Sequence, residues 1–133
     1  KYAWNKMLLD LPLDRLIFIK SIMYNYQTFL LSNTNSIHIS CFKNSLSESE
    51  WKLFESAFNQ IYFSFEIGMR KPSLKIFKYV LKENHLQAKN VLFIDDSIQH
   101  INAAQKIGIV THHLKNNEDL KTILTDKFQL KLH

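Results

Sequence analysis

Two hydrophobic rhythms run along the chain. Short, nearly unbroken apolar runs at residues 28–31, 62–65, 91–94 and 109–111 predict strands, and the stretches between them, with apolar residues every three or four positions, predict helices. The first helix is expected over 13–24, with Leu13, Leu16, Ile17 and Met23 on one side. Ser32-Asn33-Thr34-Asn35 stops the first strand. Ser47 and Glu50 have capping-box spacing, and the helix behind them carries Trp51, Phe54, Ala57, Phe58 and Ile61 on one stripe. Gly68 ends the second strand, and Pro72 suits the first turn of a helix running to the neighbourhood of Asn84, with Leu74, Phe77, Val80 and Leu81 inward. After the third strand, Ile98, Ile101, Ala104 and Ile107 mark a helix that Gly108 closes. A short helix at 117–124 and a last strand at 128–132 complete the prediction.

Strands alternating with helices imply βαβ units. The expected fold class is α/β, a Rossmann-like, mainly parallel sheet flanked by helices. Continuously apolar strands fit a sheet covered on both faces. The 133 residues suit one domain with its own core, expected over 13–133. Residues 1–12 read as the end of something else, a linker helix whose Trp4, Met7 and Leu8 would pack on a neighbour. The chain starts without Met and without a signal or transit pattern, which suggests a start within a longer protein.

Composition removes several classes of function. The chain is 46% hydrophobic and 22% charged, ordinary for a globular protein, and no apolar run approaches the ~20 residues of a membrane span. The net charge is +5, but Lys and Arg form no cluster of five or more and aromatics fall at core spacing, so a basic nucleic-acid binder ranks last. With Gly68 and Gly108 as the two glycines, phosphate loops of the Walker or dinucleotide type are excluded. The single cysteine, Cys41, forbids an internal disulfide and reads as a small buried hydrophobe in a reducing cytoplasm. His100, His112 and His113 lack metal-ligand spacing and read as surface or helix-face residues.

In an open parallel sheet, ligands sit beyond the carboxyl ends of the strands. That rule selects Ser32 and Asn33 after the first strand, Lys71 after the second, and Asp95 and Asp96 after the third. Adjacent carboxylates repel unless a cation sits near, and Mg2+ commonly binds through one or two carboxylates plus phosphate oxygens and water. Lys71 offers a point charge for phosphate, Ser32 a hydroxyl, and the backbone near Asn33 amide donors. Each feature also has a plain structural reading. Ser-Asn-Thr-Asn is a common turn, Lys-Pro a common pair, and Asp-Asp-Ser a common helix cap. Their order and spacing together favour a site for phosphoryl transfer.

Three motifs carry a family resemblance. Phe29-Leu30-Leu31-Ser32-Asn33-Thr34-Asn35, Gly68-Met69-Arg70-Lys71-Pro72 and Val91-Leu92-Phe93-Ile94-Asp95-Asp96 resemble the second, third and fourth motifs of the haloacid dehalogenase (HAD) superfamily. Ile101 to Gly108 resembles the helix that follows. The resemblance implies that Ser32 hydrogen-bonds a phosphoryl oxygen, Asn33 contributes its N–H, and Lys71 balances the phosphoryl charge. It also implies that Asp96 ligates Mg2+ and that Asp95 assists and orients Lys71. Many relatives carry Asn where this chain has His100. Relatives also open with a strand ending in Asp-x-Asp, whose first Asp attacks phosphorus; no Asp-x-Asp occurs in these residues. That strand would lie between the first and third strands, so two strand edges are expected to lack partners, at roughly 1–3 kcal/mol for each unpaired buried group. A further N-terminal segment or a second copy of the chain would then complete the sheet.

The resulting expectation is a Mg2+-dependent phosphatase acting on a small phosphate ester through an aspartyl-phosphate in the intact protein, with this chain inactive alone. Dehalogenation fits less well, because dehalogenating relatives do not need the metal that an acidic pair invites. The alternative is a non-catalytic HAD-like binding or scaffold module, which the lack of Asp-x-Asp would suit.

Overall fold

The apolar stripes and runs become short helices and four-residue strands in a computed structural model that describes residues 13–130. In chain order these are α1 (Leu13–Ile22), β1 (Phe29–Ser32), α2 (Ser36–Asn44), α3 (Glu48–Ser56), β2 (Gln60–Phe63), α4 (Ser64–Ile67), α5 (Leu74–Glu83), β3 (Leu92–Asp95), α6 (Ile98–Lys106), β4 (Val110–His113) and α7 (Leu120–Thr122). A 3-10 turn, Ala88–Asn90, precedes β3, and a π turn, Ile123–Lys127, follows α7. The chain divides into two compact units, one running to Ile67 and resuming at Asp119, the other Gly68–Glu118. Among the described residues no helix is long and apolar enough to cross a membrane.

The first unit is organised by aromatic packing. Leu16 and Ile19 of α1 meet Phe42, Phe54, Ala57, Phe58 and Phe63 in one buried cluster. Phe54 is wholly buried. Its ring lies 5.2 Å from Phe42, 5.3 Å from Trp51 and 5.9 Å from Phe58. Such pairs contribute about 0.5–1.5 kcal/mol each beyond the area they bury. The α3 start is the expected capping box: Ser47 Oγ accepts from Glu50 N–H while Glu50 Oε1 accepts from Ser47 N–H. This backbone bond, with the Ser47 hydroxyl, holds the Glu50 carboxyl below its ordinary pKa. β1 and β2 pair in parallel, with Ser32 opposite Phe63.

The second unit is a βαβ element with a further helix packed on it. β3 and β4 pair in parallel, Leu92 opposite Val110 and Asp95 opposite His113. Ile76, Phe77, Ile101, Ala104 and Ile109 are buried. Phe77 of α5 meets Phe93 of β3 edge to face at 5.1 Å. Gly108 follows α6 with φ +89°, a backbone region that favours glycine. Parallel strands flanked by helices confirm the predicted α/β class, although among the described residues the strands form two separate parallel pairs. β3 hydrogen-bonds to β4 and, among those residues, to no other strand, and all four of its residues are half-buried.

Several sequence expectations are corrected. α1 buries Leu16, Ile19 and Ile22, whereas Leu13 and Ile17 are exposed: the packed ridge follows steps of three. α2 is unpredicted; Asn35 Oδ1 caps it by accepting from His38 N–H. β2 ends at Phe63, and Ser64 and Phe65, expected as strand, open a helical turn over residues 64–67. Ile61 accordingly belongs to β2. Ser73 caps α5, so Pro72 lies ahead of the helix, and Ile76 joins Phe77 as its buried face while Leu74, Val80 and Leu81 are half-buried. Ile98 is exposed, and Ala103 is buried with Ile101 and Ala104. Cys41 is exposed on α2. Residues 128–130 form no strand. The expectations for residues 1–12 and for 131–132 lie outside the described residues.

Candidate active site

Asp95 is the last residue of β3, on the same face as Phe93. Lys71, ahead of α5, reaches that face, its Nζ 2.7 Å from Asp95 Oδ2 and 5.7 Å from the Phe93 ring centre. The two side chains are only 7% and 8% exposed. A buried pair of this kind persists only where the remaining lone pairs are satisfied. Here Asp95 Oδ1 accepts from Ser97 N–H at 2.8 Å, and His100 Nδ1 lies 3.3 Å from Oδ2. Burial by itself would raise the Asp95 pKa. The charge and hydrogen bond of Lys71, the Ser97 amide and the field of His100 outweigh burial and hold it below the ordinary carboxylate value.

Asp96, more exposed than Asp95 at the same corner, behaves oppositely. Burial, then a hydrogen bond to Asp95 and that neighbour's charge, push its pKa up. The pair therefore divides its roles. Asp95 is already neutralised by an ammonium, whereas Asp96 is a carboxyl whose ionised form a nearby cation would stabilise. Among the described residues no three His, Cys, Asp or Glu side chains are grouped to hold a metal. A hard ion here would draw on the acidic pair and fill its remaining positions with water or phosphate oxygens, which is the normal habit of Mg2+.

Ser32 and Asn33 belong to the first unit. Ser32 ends β1 and is buried. The loop after it is clasped by Ser64: its hydroxyl accepts from Thr34 N–H at 2.8 Å and donates to Thr34 O at 3.0 Å. The structure thus brings Lys71, Asp95 and Asp96 together in one unit and sets Ser32 at the end of β1 and Asn33 in the loop after it in the other.

Of the three histidines expected on the surface or a helix face, His112 departs from that reading, and all three have polar partners. His100 faces Asp95 from the first turn of α6. His112 is buried, with Nε2 3.1 Å from Glu118 Oε1, and His113 Nε2 lies 2.9 Å from Asp96 O. Glu118 also accepts from Lys115 N–H, which with His112 holds its carboxyl below the ordinary value. The sequence held a usable signal: histidines in the strand after Gly108 fall opposite the acidic strand once the two are paired in parallel.

Residues 43–113, more than half of the chain, match the family described as haloacid dehalogenase-like hydrolase. A D-ribitol-5-phosphate phosphatase of Bacteroides thetaiotaomicron is 30% identical over 125 residues, covering 94% of this chain and 61% of that protein. A sesquiterpene phosphatase of Aspergillus oryzae is 38% identical over 68 residues, 51% of this chain and 33% of its own length. A solved HAD family enzyme of B. thetaiotaomicron, in complex with magnesium and inorganic phosphate, superposes with a TM-score of 0.76 at 32% identity, over 84% of this chain and 57% of that one. This chain therefore spans about three-fifths of the phosphatase from that organism, and it belongs to the haloacid dehalogenase-like hydrolase family.

Proposed function

We propose that the full-length protein is a Mg2+-dependent phosphatase of small phosphate esters. The observation that carries this reading is the corner where Lys71 and buried Asp95 pair at 2.7 Å with the second acid, Asp96, next to them. The similarity to phosphatases, and to an enzyme holding magnesium and phosphate, supports it. Asp96, assisted by Asp95, would hold the ion, which when bound neutralises phosphoryl oxygens. Lys71 balances the same charge and is kept in place by Asp95. Ser32 donates its hydroxyl to a phosphoryl oxygen, and Asn33 its N–H. The attacking aspartate of the aspartyl-phosphate route is not among these residues, which contain no Asp-x-Asp, so the chain alone is inactive. The β3 edge away from β4 is assigned to a further strand, from the rest of the protein or from a second copy.

The test is phosphate release by the full-length protein from D-ribitol 5-phosphate and an aryl phosphate, with Mg2+ or with EDTA. Turnover is expected with Mg2+ only. Lys71→Ala and Asp96→Asn should each lower kcat roughly 100-fold, the scale of losing one preorganised electrostatic contact. Metal-independent turnover would refute the reading. Tight binding of the esters without turnover would favour the non-catalytic module.

A further inference from the structure

We infer that His113 is a positioning residue that fixes the direction of the Asp96 carboxylate by pinning the peptide between Asp96 and Ser97. The β3–β4 ladder ends where Leu114 N–H donates to Asp95 O at 2.9 Å. The next carbonyl, that of Asp96, lies one residue past the end of β3. His113, opposite Asp95 in the register, supplies its donor, with Nε2 2.9 Å from Asp96 O. A carbonyl has no proton to give, so Nε2 carries it. The other end of the same peptide plane is also held, because Ser97 N–H donates to Asp95 Oδ1 at 2.8 Å. A planar peptide gripped at both its C=O and its N–H has little freedom to rotate. Its orientation sets ψ of Asp96, and with it the direction of the Asp96 side chain relative to Asp95.

The inference rests on the reading of Asp96 as a cation ligand, but it concerns a different bond, so the two fail separately. In metal-free protein, long-range 1H–15N spectra should show His113 protonated at Nε2, and His113→Phe, which keeps the ring without the donor, should shift the Ser97 amide. A titration with Mg2+ alone, followed at the Asp96 and Ser97 amides, should give about three- to tenfold weaker binding for His113→Ala and His113→Phe, the loss expected for one ordinary hydrogen bond. His113→Gln, whose side-chain amide reaches the Nε2 position, should restore it. Asp96→Asn should abolish it. An unprotonated Nε2, or variants that bind Mg2+ as wild type does while Asp96→Asn does not, overturns the inference and leaves the metal reading intact. A metal-free clamp that behaves as described in a protein that never binds Mg2+ overturns the metal reading and removes the role assigned to His113.

Discussion

Lys71 and Asp95, 24 positions apart in the chain, form an ion pair with an N–O distance of 2.7 Å and both side chains almost wholly buried. Removing one partner leaves the other charge buried and uncompensated. Lys71→Met should therefore destabilise the protein by about 3–5 kcal/mol, and the double variant with Asp95→Asn should recover part of that loss, since the amide oxygen still accepts from Ser97 N–H. Urea denaturation of the two variants checks this.

The two neighbouring acids make opposite contributions to stability against pH. The Asp95 pKa is lower in the folded protein than in the unfolded chain. Its contribution is thus present above the ordinary carboxylate pKa and is lost as pH falls through its folded value. The Asp96 pKa is raised on folding, so the folded state binds the proton more tightly and stability falls as pH climbs from the ordinary carboxylate value through the raised one. Asp96→Asn should remove that decline. Mg2+ at neutral pH should raise the melting temperature of the wild type and leave Asp96→Asn unmoved, because a ligand stabilises only the state that binds it. Thermal melts across acidic to neutral pH, with and without Mg2+, measure both.

Phe54 is fully buried among Phe42, Trp51 and Phe58. Phe54→Ala should cost about 3–5 kcal/mol, the lost transfer energy together with an unfilled cavity, and Phe54→Leu less. The denaturation midpoint should drop with little change in the slope of the transition.

Gly108 has φ +89°, and a methyl group there would meet only Ala88 Cβ, at an ordinary 3.7 Å. Space is therefore not the constraint; backbone conformation is. Gly108→Ala should cost roughly 1–2 kcal/mol and Gly108→Asn less, read from the same denaturation curves.

The sequence revealed most where one physical rule acts alone. The capping box at Ser47 and Glu50, the strand before Asp95 and the stop at Gly108 depend on local chemistry and were legible. The buried face of α1 was not: Leu13, Leu16, Ile17 and Ile19 are all apolar, and tertiary packing selects Leu16 and Ile19. α2 has no clear stripe, with Ile37 and Cys41 exposed and only Phe42 buried, so periodicity gave no warning of it. At the site, the acidic pair and the lysine were legible from order and spacing. The His113 contact needed a further step, because its partner, the Asp96 carbonyl, becomes visible only once β3 and β4 are set in register.

The alternation of side chains along β3 has a consequence beyond the strand itself. Side chains on a strand alternate between its faces, so the alignment that puts Phe93 beneath Phe77 also selects which of two consecutive acids meets Lys71. A slip of one position would offer the lysine the wrong carboxyl and turn the other toward solvent. Packing substitutions around Phe77 and Phe93 therefore bear on which acid is sheltered and which is exposed, though neither ring belongs to the acidic pair.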